Sequence, residues 1–259
     1  CYNKCWRQSR RNQYDTENNI MNTRKVNAKQ CKMVAHRGCS GLEKENTLAA
    51  FIAAGNRSYW GVETDVHRTA DGEYVVIHDS ETGRVAGDNI VIENTSFEYI
   101  RSLRLKDIDG TRTRADLRIP TLREYIAICK KYEKNCVLEF KTVYTLEQVA
   151  EMVEIIKEEG WLEHVVFISF AYDNLLNLRK ILPGHPAQFL TGEYTDAMVE
   201  MIHKDKIDLD IYFSALDEEK IKHLHDLGII VNAWTVDDPE KAQQLIDWGI
   251  DYITSNICE

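Results

Sequence analysis

The chain has 259 residues, 44% apolar and 29% charged, with a formal net charge of −10 at neutral pH. That composition is ordinary for a globular protein, and a single α/β barrel needs about 250 residues. The acidic balance argues against gripping a nucleic-acid backbone, and no apolar run is long enough to offer a transmembrane helix.

Residues 1–30 are polar and lack sustained periodicity, so they read as a mobile or weakly helical extension carrying a small basic cluster at Arg7, Arg10 and Arg11. From residue 31 onward strands and helices alternate. A short strand at 34–36 precedes a helix at 47–54, with Asn46 as its candidate cap. A strand at 60–66 turns back at Asp71-Gly72, a two-residue hairpin signal, into a return strand at 74–78. Residues 80–118 break the rhythm with scattered glycines and charges and read as an insertion over the site rather than a second core.

The alternation then resumes. Helices are predicted at 122–132, 146–159, 174–182, 196–203, 217–227 and 239–248, between strands beginning at Cys136, Val165, Ala187, Ile211, Ile229 and Tyr252. With Val34 and Trp60, eight strands lead into crossovers, which points to a closed parallel (β/α)8 TIM barrel with a small insertion after strand 2. An open doubly wound sheet is the alternative, but its GxGxxG first turn is absent.

The seven cysteines are odd in number, irregularly spaced and without paired CxxC motifs, which excludes a structural zinc site. Reduced thiols are expected, with Cys129 and Cys136 as small buried hydrophobes. A cytoplasmic location follows, with a lost leader or upstream anchor left open because the sequence starts at Cys1.

The chemistry concentrates early. Glu63, Asp65 and His67 share one strand face, and charged groups at the C-terminal end of a barrel strand are functional candidates. A two-residue hairpin loop would set Asp65 directly opposite His78, with Cβ atoms about 5 Å apart. His36 ends the first strand, and Arg37 beside it suits bidentate grip of a phosphate; Gly38 would let the backbone approach a ligand. Glu139 and Lys141 end the next barrel strand. Three carboxylates suit Mg²⁺ or Ca²⁺ rather than zinc, and Lys141 can meet a phosphate oxygen as a point charge. Trp234 either floors a substrate pocket or packs the barrel top, and Ser169 and Phe170 share that ambiguity. His67, His164, His185, His203, His223 and His225 read as rim, loop or helix-surface residues without a role.

The ordered motifs His36-Arg37-Gly38, Glu45-Asn46-Thr47, Glu63-Thr64-Asp65, Asp71-Gly72, His78-Asp79, Leu138-Glu139-Phe140-Lys141 and Ala233-Trp234-Thr235-Val236 resemble the glycerophosphodiester phosphodiesterases. So does the ending from Gly249 to Thr254, and the likeness runs from about Met33 to the C-terminus. The resemblance implies His36 and His78 as acid and base, without saying which is which. It also implies Glu63, Asp65 and Glu139 as metal ligands, Arg37 and Lys141 as phosphate contacts, and Glu45 and Asn46 as support behind them. The implied reaction is metal-dependent hydrolysis of a small-molecule glycerophosphodiester to glycerol 3-phosphate and an alcohol. Lys44 stands where the family usually has Pro, and residues 80–84 depart from its usual Arg-Thr-Thr stretch, which leaves the headgroup open. Two other readings remain: a phospholipase D-like or phosphatidylinositol-cleaving barrel, and a non-catalytic phosphate-binding barrel. Oligomeric state is not legible.

Overall fold

A computed structural model describes residues 22–259. The barrel opens with β1 (Lys32–Ala35), α1 (Leu48–Gly55) and β2 (Gly61–Arg68), from which β3 (Tyr74–Val76) folds back antiparallel. The segment after β3 holds two short helices, α2 (Gly83–Ala86) and α3 (Phe97–Ser102). Regular alternation follows: α4 (Leu122–Lys131), β4 (Asn135–Phe140), α5 (Leu146–Glu158), β5 (Val165–Ser169), α6 (Tyr172–Ile181) and β6 (Ala187–Thr191). It continues through α7 (Asp196–Asp205), β7 (Asp208–Tyr212), α8 (Glu218–Asp226), β8 (Val231–Trp234), α9 (Pro239–Asp247) and β9 (Tyr252–Ser255).

The parallel strands run in the order β1-β9-β8-β7-β6-β5-β4-β2, and pairing of β1 with β2 closes the ring. This is the expected (β/α)8 barrel, with β3 as an antiparallel flap on β2. Inside, Val34, Val137, Val166, Ile168, Leu190 and Tyr252 form one apolar cluster. Between barrel and helices lies the main core, which includes Cys129 and Cys136 as expected. The five described cysteines are all free and buried.

Helix starts follow the sequence closely. Thr121 and Thr145 begin α4 and α5 as capping boxes, their hydroxyls accepting N–H bonds while Glu124 and Gln148 reach back. Asp238 caps α9, whose first residue is Pro239. At α1 the cap is Thr47, whose hydroxyl accepts from Ala50 N–H, and not Asn46.

Four other expectations need correction. The hairpin loop has three residues: Thr69 N–H donates to Glu73 O at 2.8 Å, and Gly72 takes the left-handed position at φ +94°. The register therefore sets Val66 against Val76, and Ile77 N–H, not His78, meets Asp65 O. Asp71 is drawn away from a tight turn by the Thr69 hydroxyl (2.6 Å) and by the Phe97 N–H.

The segment beyond β3 does have a small core of its own, with Val85, Ile92, Ile100, Leu105 and Leu117 packed on Val75 and Ile77. β7 begins at Asp208 and not at Ile211. The described part of the polar extension is tied down: Arg24 forms a parallel bridge with Cys258, and Val26 N–H donates to Glu259 O at 3.0 Å. The basic cluster at residues 7–11 lies outside the described residues. No described helix is long and apolar enough to cross a membrane.

Candidate active site

The C-terminal ends of the barrel strands surround a cleft lined by His36, Arg37, Glu63, His78, Glu139 and Trp234, among others. Strand pairing builds its acidic wall. Asp65 on β2 lies beside Glu139 on β4, and Glu63 stands two residues earlier on the same face of β2. One oxygen from each of these three carboxyls lies within 4.8 Å of the others, and all three residues are buried. The chain thus gathers the acids that the sequence pointed to.

Two cations flank them. Lys141 Nζ stands 2.9 Å from Glu139 and 3.4 Å from Asp65, while Arg37 Nε stands 3.4 Å from Asp65 on its other side. Burial alone would raise the pKa of Asp65, but Lys141 and Arg37 outweigh it and hold that carboxyl well below the usual range. Glu63 goes the other way, pushed up by burial and by Asp65. Glu139 rises to about 8 through burial and the same neighbour. Burial and the neighbouring carboxylate thus oppose ionisation of Glu63 and Glu139 beside Asp65. The Oδ1 atom of Asp65 has no hydrogen-bond partner. An oxygen-only donor set with one bare oxygen and too little positive charge fits a hard divalent cation.

Behind this wall the motif residues hold one another. Arg37 N–H donates to Glu63 Oε2 at 2.8 Å, and its guanidinium reaches Glu45 at 3.0 Å. Asn46 donates to Asp65 Oδ2 at 2.7 Å and accepts from the Thr64 hydroxyl at 2.9 Å. Gly38 is required by helix packing and not by a ligand: at φ +78°, a Cβ there would lie 2.7 Å from Ala50 of α1.

The two imidazoles have different partners. His36 Nδ1 lies 2.8 Å from Asn256 Oδ1, and the Asn256 amide donates to Asp237 Oδ2 at 2.6 Å, which fixes which end of Asn256 faces the ring. Since that oxygen can only accept, Nδ1 carries the proton and Nε2, 3.9 Å from Glu63, is the free nitrogen. Burial, then Arg37, lowers the pKa of His36 to about 4. His78 Nδ1 lies 2.7 Å from Asp79 Oδ1. Its pKa is also lowered, chiefly by burial, with Asp65 and the Asp79 hydrogen bond opposing.

Four contributors escaped the sequence reading. Arg84, from the segment after β3, joins Asp79 (2.6 Å) to Glu45 (2.7 Å) and so links the neighbours of His78 to those of Arg37. Asn256 and Asp237 orient His36. His67 is buried, not on a rim, and its Nε2 meets the His78 carbonyl at 3.2 Å, fixing the backbone where the chain leaves β3. Of these, only Arg84 is signalled, through its partner Asp79 of the His-Asp motif. Trp234 lines the cleft, with Phe170 edge-on at 5.6 Å and Tyr212 at 5.7 Å. Ser169 does not: it is buried and bonded to Phe140 O and Asn174.

The glycerophosphoryl diester phosphodiesterase family model matches residues 36–258. A glycerophosphodiester phosphodiesterase of Caldanaerobacter subterraneus is 29% identical over 230 residues, covering 86% of this chain and 93% of that protein. Among solved structures, an Oleispira antarctica phosphodiesterase in complex with the product sn-glycerol-3-phosphate superposes with a TM-score of 0.82 at 27% identity, covering 90% of this chain and 96% of that one. A Thermotoga maritima glycerophosphodiester phosphodiesterase gives 0.70 at 27% identity, covering 87% and 94%.

Proposed function

This chain belongs to the glycerophosphoryl diester phosphodiesterase family and hydrolyses glycerophosphodiesters, and from that premise we propose that His36 is its general base and His78 its general acid. The observation that carries the reading is the pair of unlike partners on the two Nδ1 atoms. Asn256 offers a neutral oxygen, so His36 is oriented without help toward a positive charge and presents an unprotonated Nε2. Asp79 offers a carboxylate, which supports an imidazolium at His78.

Glu63, Asp65 and Glu139 would hold the divalent cation, Mg²⁺ or Ca²⁺, which when bound supplies neutralisation of phosphate charge. Arg37 and Lys141 bind the phosphate oxygens, the first as a fork and the second as a point charge. His36 Nε2 takes the proton of the attacking hydroxyl, water or the substrate's own neighbouring hydroxyl, as its oxygen bonds to phosphorus. The bond from phosphorus to the alcohol oxygen breaks, and His78 delivers its proton to that oxygen. With water as the nucleophile, glycerol 3-phosphate and a free alcohol result directly; with the neighbouring hydroxyl, the alcohol leaves first and a water then opens the cyclic phosphate to glycerol 3-phosphate. Glu45 and Asn46 keep Arg37 and Asp65 in place.

The test is a coupled assay of glycerol 3-phosphate release from glycerophosphocholine. Activity should vanish in EDTA and return with Mg²⁺ or Ca²⁺. Release undiminished by EDTA would remove the metal role, and no release with any cation would remove the activity.

A further inference from the structure

Asp210 belongs to the same cleft but is not one of the clustered carboxyls. It lies on β7, between Leu190 of β6 and Asn232 of β8, and is 1% exposed. The polar groups around it are satisfied without it. Asn232 donates to Gln188 Oε1 at 3.3 Å and accepts from the Thr254 hydroxyl at 3.2 Å. Trp234 spends its indole N–H on the backbone oxygen of Asp210, not on the carboxyl. Asp210 Oδ1 has no partner at all, yet the residue lines the cleft. Buried carboxyl oxygens are almost always bonded, because an unsatisfied one costs about 1–3 kcal/mol. Here the missing partner must come from the cleft.

Position narrows what that partner is. Around the closed ring, β7 is reached from β2 through β1, β9 and β8 on one side, and through β4, β5 and β6 on the other. Asp210 is therefore diametrically opposite Glu63 and Asp65. It is not among the carboxyls clustered for a cation. The wall between is apolar, formed by Ile168, Leu190, Phe170 and Trp234. A ligand anchored by its phosphate at the acidic wall would lay a short carbon chain on that surface and end at Asp210. A hydrogen-bond donor at the far end would satisfy that oxygen, and an aliphatic hydroxyl supplies one without bringing a charge into a buried place.

Building on the phosphodiesterase reading, we propose that Asp210 is a specificity-determining residue that accepts a hydrogen bond from a hydroxyl of the substrate's glycerol moiety. It selects for polyol phosphodiesters over diesters of simple alcohols. A site built to bond a hydroxyl rejects the analogue that lacks it, because its own polar group is then left bare.

The experiment compares sn-glycerol 3-phosphate with ethyl phosphate, which has the same phosphate monoester and no hydroxyl. Binding to the metal-loaded protein is read by calorimetry. Wild type should prefer glycerol 3-phosphate by about 10- to 100-fold, the scale of one hydrogen bond to a charged or buried acceptor. In Asp210→Leu that preference should fall to within about threefold, with most of the loss on the glycerol 3-phosphate side. Asp210→Asn, nearly the same shape, serves if the leucine variant does not fold, and should keep part of the preference. Preference retained in folded Asp210→Leu overturns the proposal. So does an equal loss for both ligands, which would make Asp210 a packing residue.

Turnover of glycerophosphocholine and glycerophosphoethanolamine separates the two halves of the substrate. Equal losses in kcat/KM place the hydroxyl on glycerol, whereas losses that depend on the headgroup place the contact on the leaving alcohol and sink the proposal. Wild-type protein that releases no glycerol 3-phosphate would instead defeat the activity itself, independently of any variant.

Discussion

The two halves of the barrel mouth are built on opposite principles. The half formed by β1, β2 and β4 is crowded with charge, and its groups are cross-braced: Asp65 alone contacts Arg37, Lys141 and Asn46. The half formed by β5 to β8 is an apolar surface of Ile168, Leu190, Phe170 and Trp234 with a single bare carboxyl. On the roles proposed above, the first half is preorganised for making and breaking bonds, with little freedom to reorient during the reaction. The second half shapes the volume in which a carbon skeleton lies. Chemistry and selection are thus separated across the barrel axis.

That division can be broken experimentally, and the largest effect belongs to the charged half. His36→Ala and His78→Ala should each lower kcat by about a thousandfold, the scale of general acid–base catalysis, with the melting temperature nearly unchanged. Near-normal turnover in either folded variant would end the assignment of these rings.

A smaller effect sharpens the difference between the histidines. The Asp79 hydrogen bond raises the pKa of His78 against the lowering effect of burial. Asp79→Asn replaces that carboxylate with a neutral amide oxygen, so the folded-state pKa falls further. If His78 must be protonated to act, the alkaline limb of the kcat/KM profile moves to lower pH, and the rate at neutral pH drops about tenfold. Movement of the acidic limb instead would exchange the roles of the two rings.

The smallest effect lies in the other half. Trp234→Leu should raise KM several-fold through lost packing area while kcat changes by less than about threefold. A collapse of kcat in that variant would show that the apolar wall takes part in the chemical step.

The contrast also explains what the sequence discloses. The charged half is legible because its residues cluster in short motifs whose types are costly to bury without a purpose. The eight barrel strands are legible because helix caps and glycines punctuate them, as at Thr121, Thr145 and Pro239. What escapes depends on one-residue placement or on distant partners. The hairpin register turns on whether Ala70 belongs to the strand or the loop, and the contacts of Asp71 decide it. Thr47 outcompetes Asn46 as a cap because the Asn46 side chain is committed to Asp65 and Thr64. Asp210 sits in an Asp-Leu-Asp stretch that reads as a polar approach to a strand, and only ring closure turns it inward. The Asn256–Asp237 brace joins residues on two different loops, with no local pattern to announce it.

Gly38 has a consequence for how such sites are mapped. Its neighbours are Arg37 and Cys39, and the space a side chain would need is already filled by Ala50. Any replacement must shift either the helix or the turn bearing His36 and Arg37, and so would disturb the proton transfer and phosphate binding proposed for them together. A mutational scan scored by turnover would rank this position with the imidazoles, although it donates nothing and touches no substrate. Intolerance to change at such a spot measures the stiffness of the mounting, and only a companion readout of folded abundance distinguishes the bracket from the tool it holds.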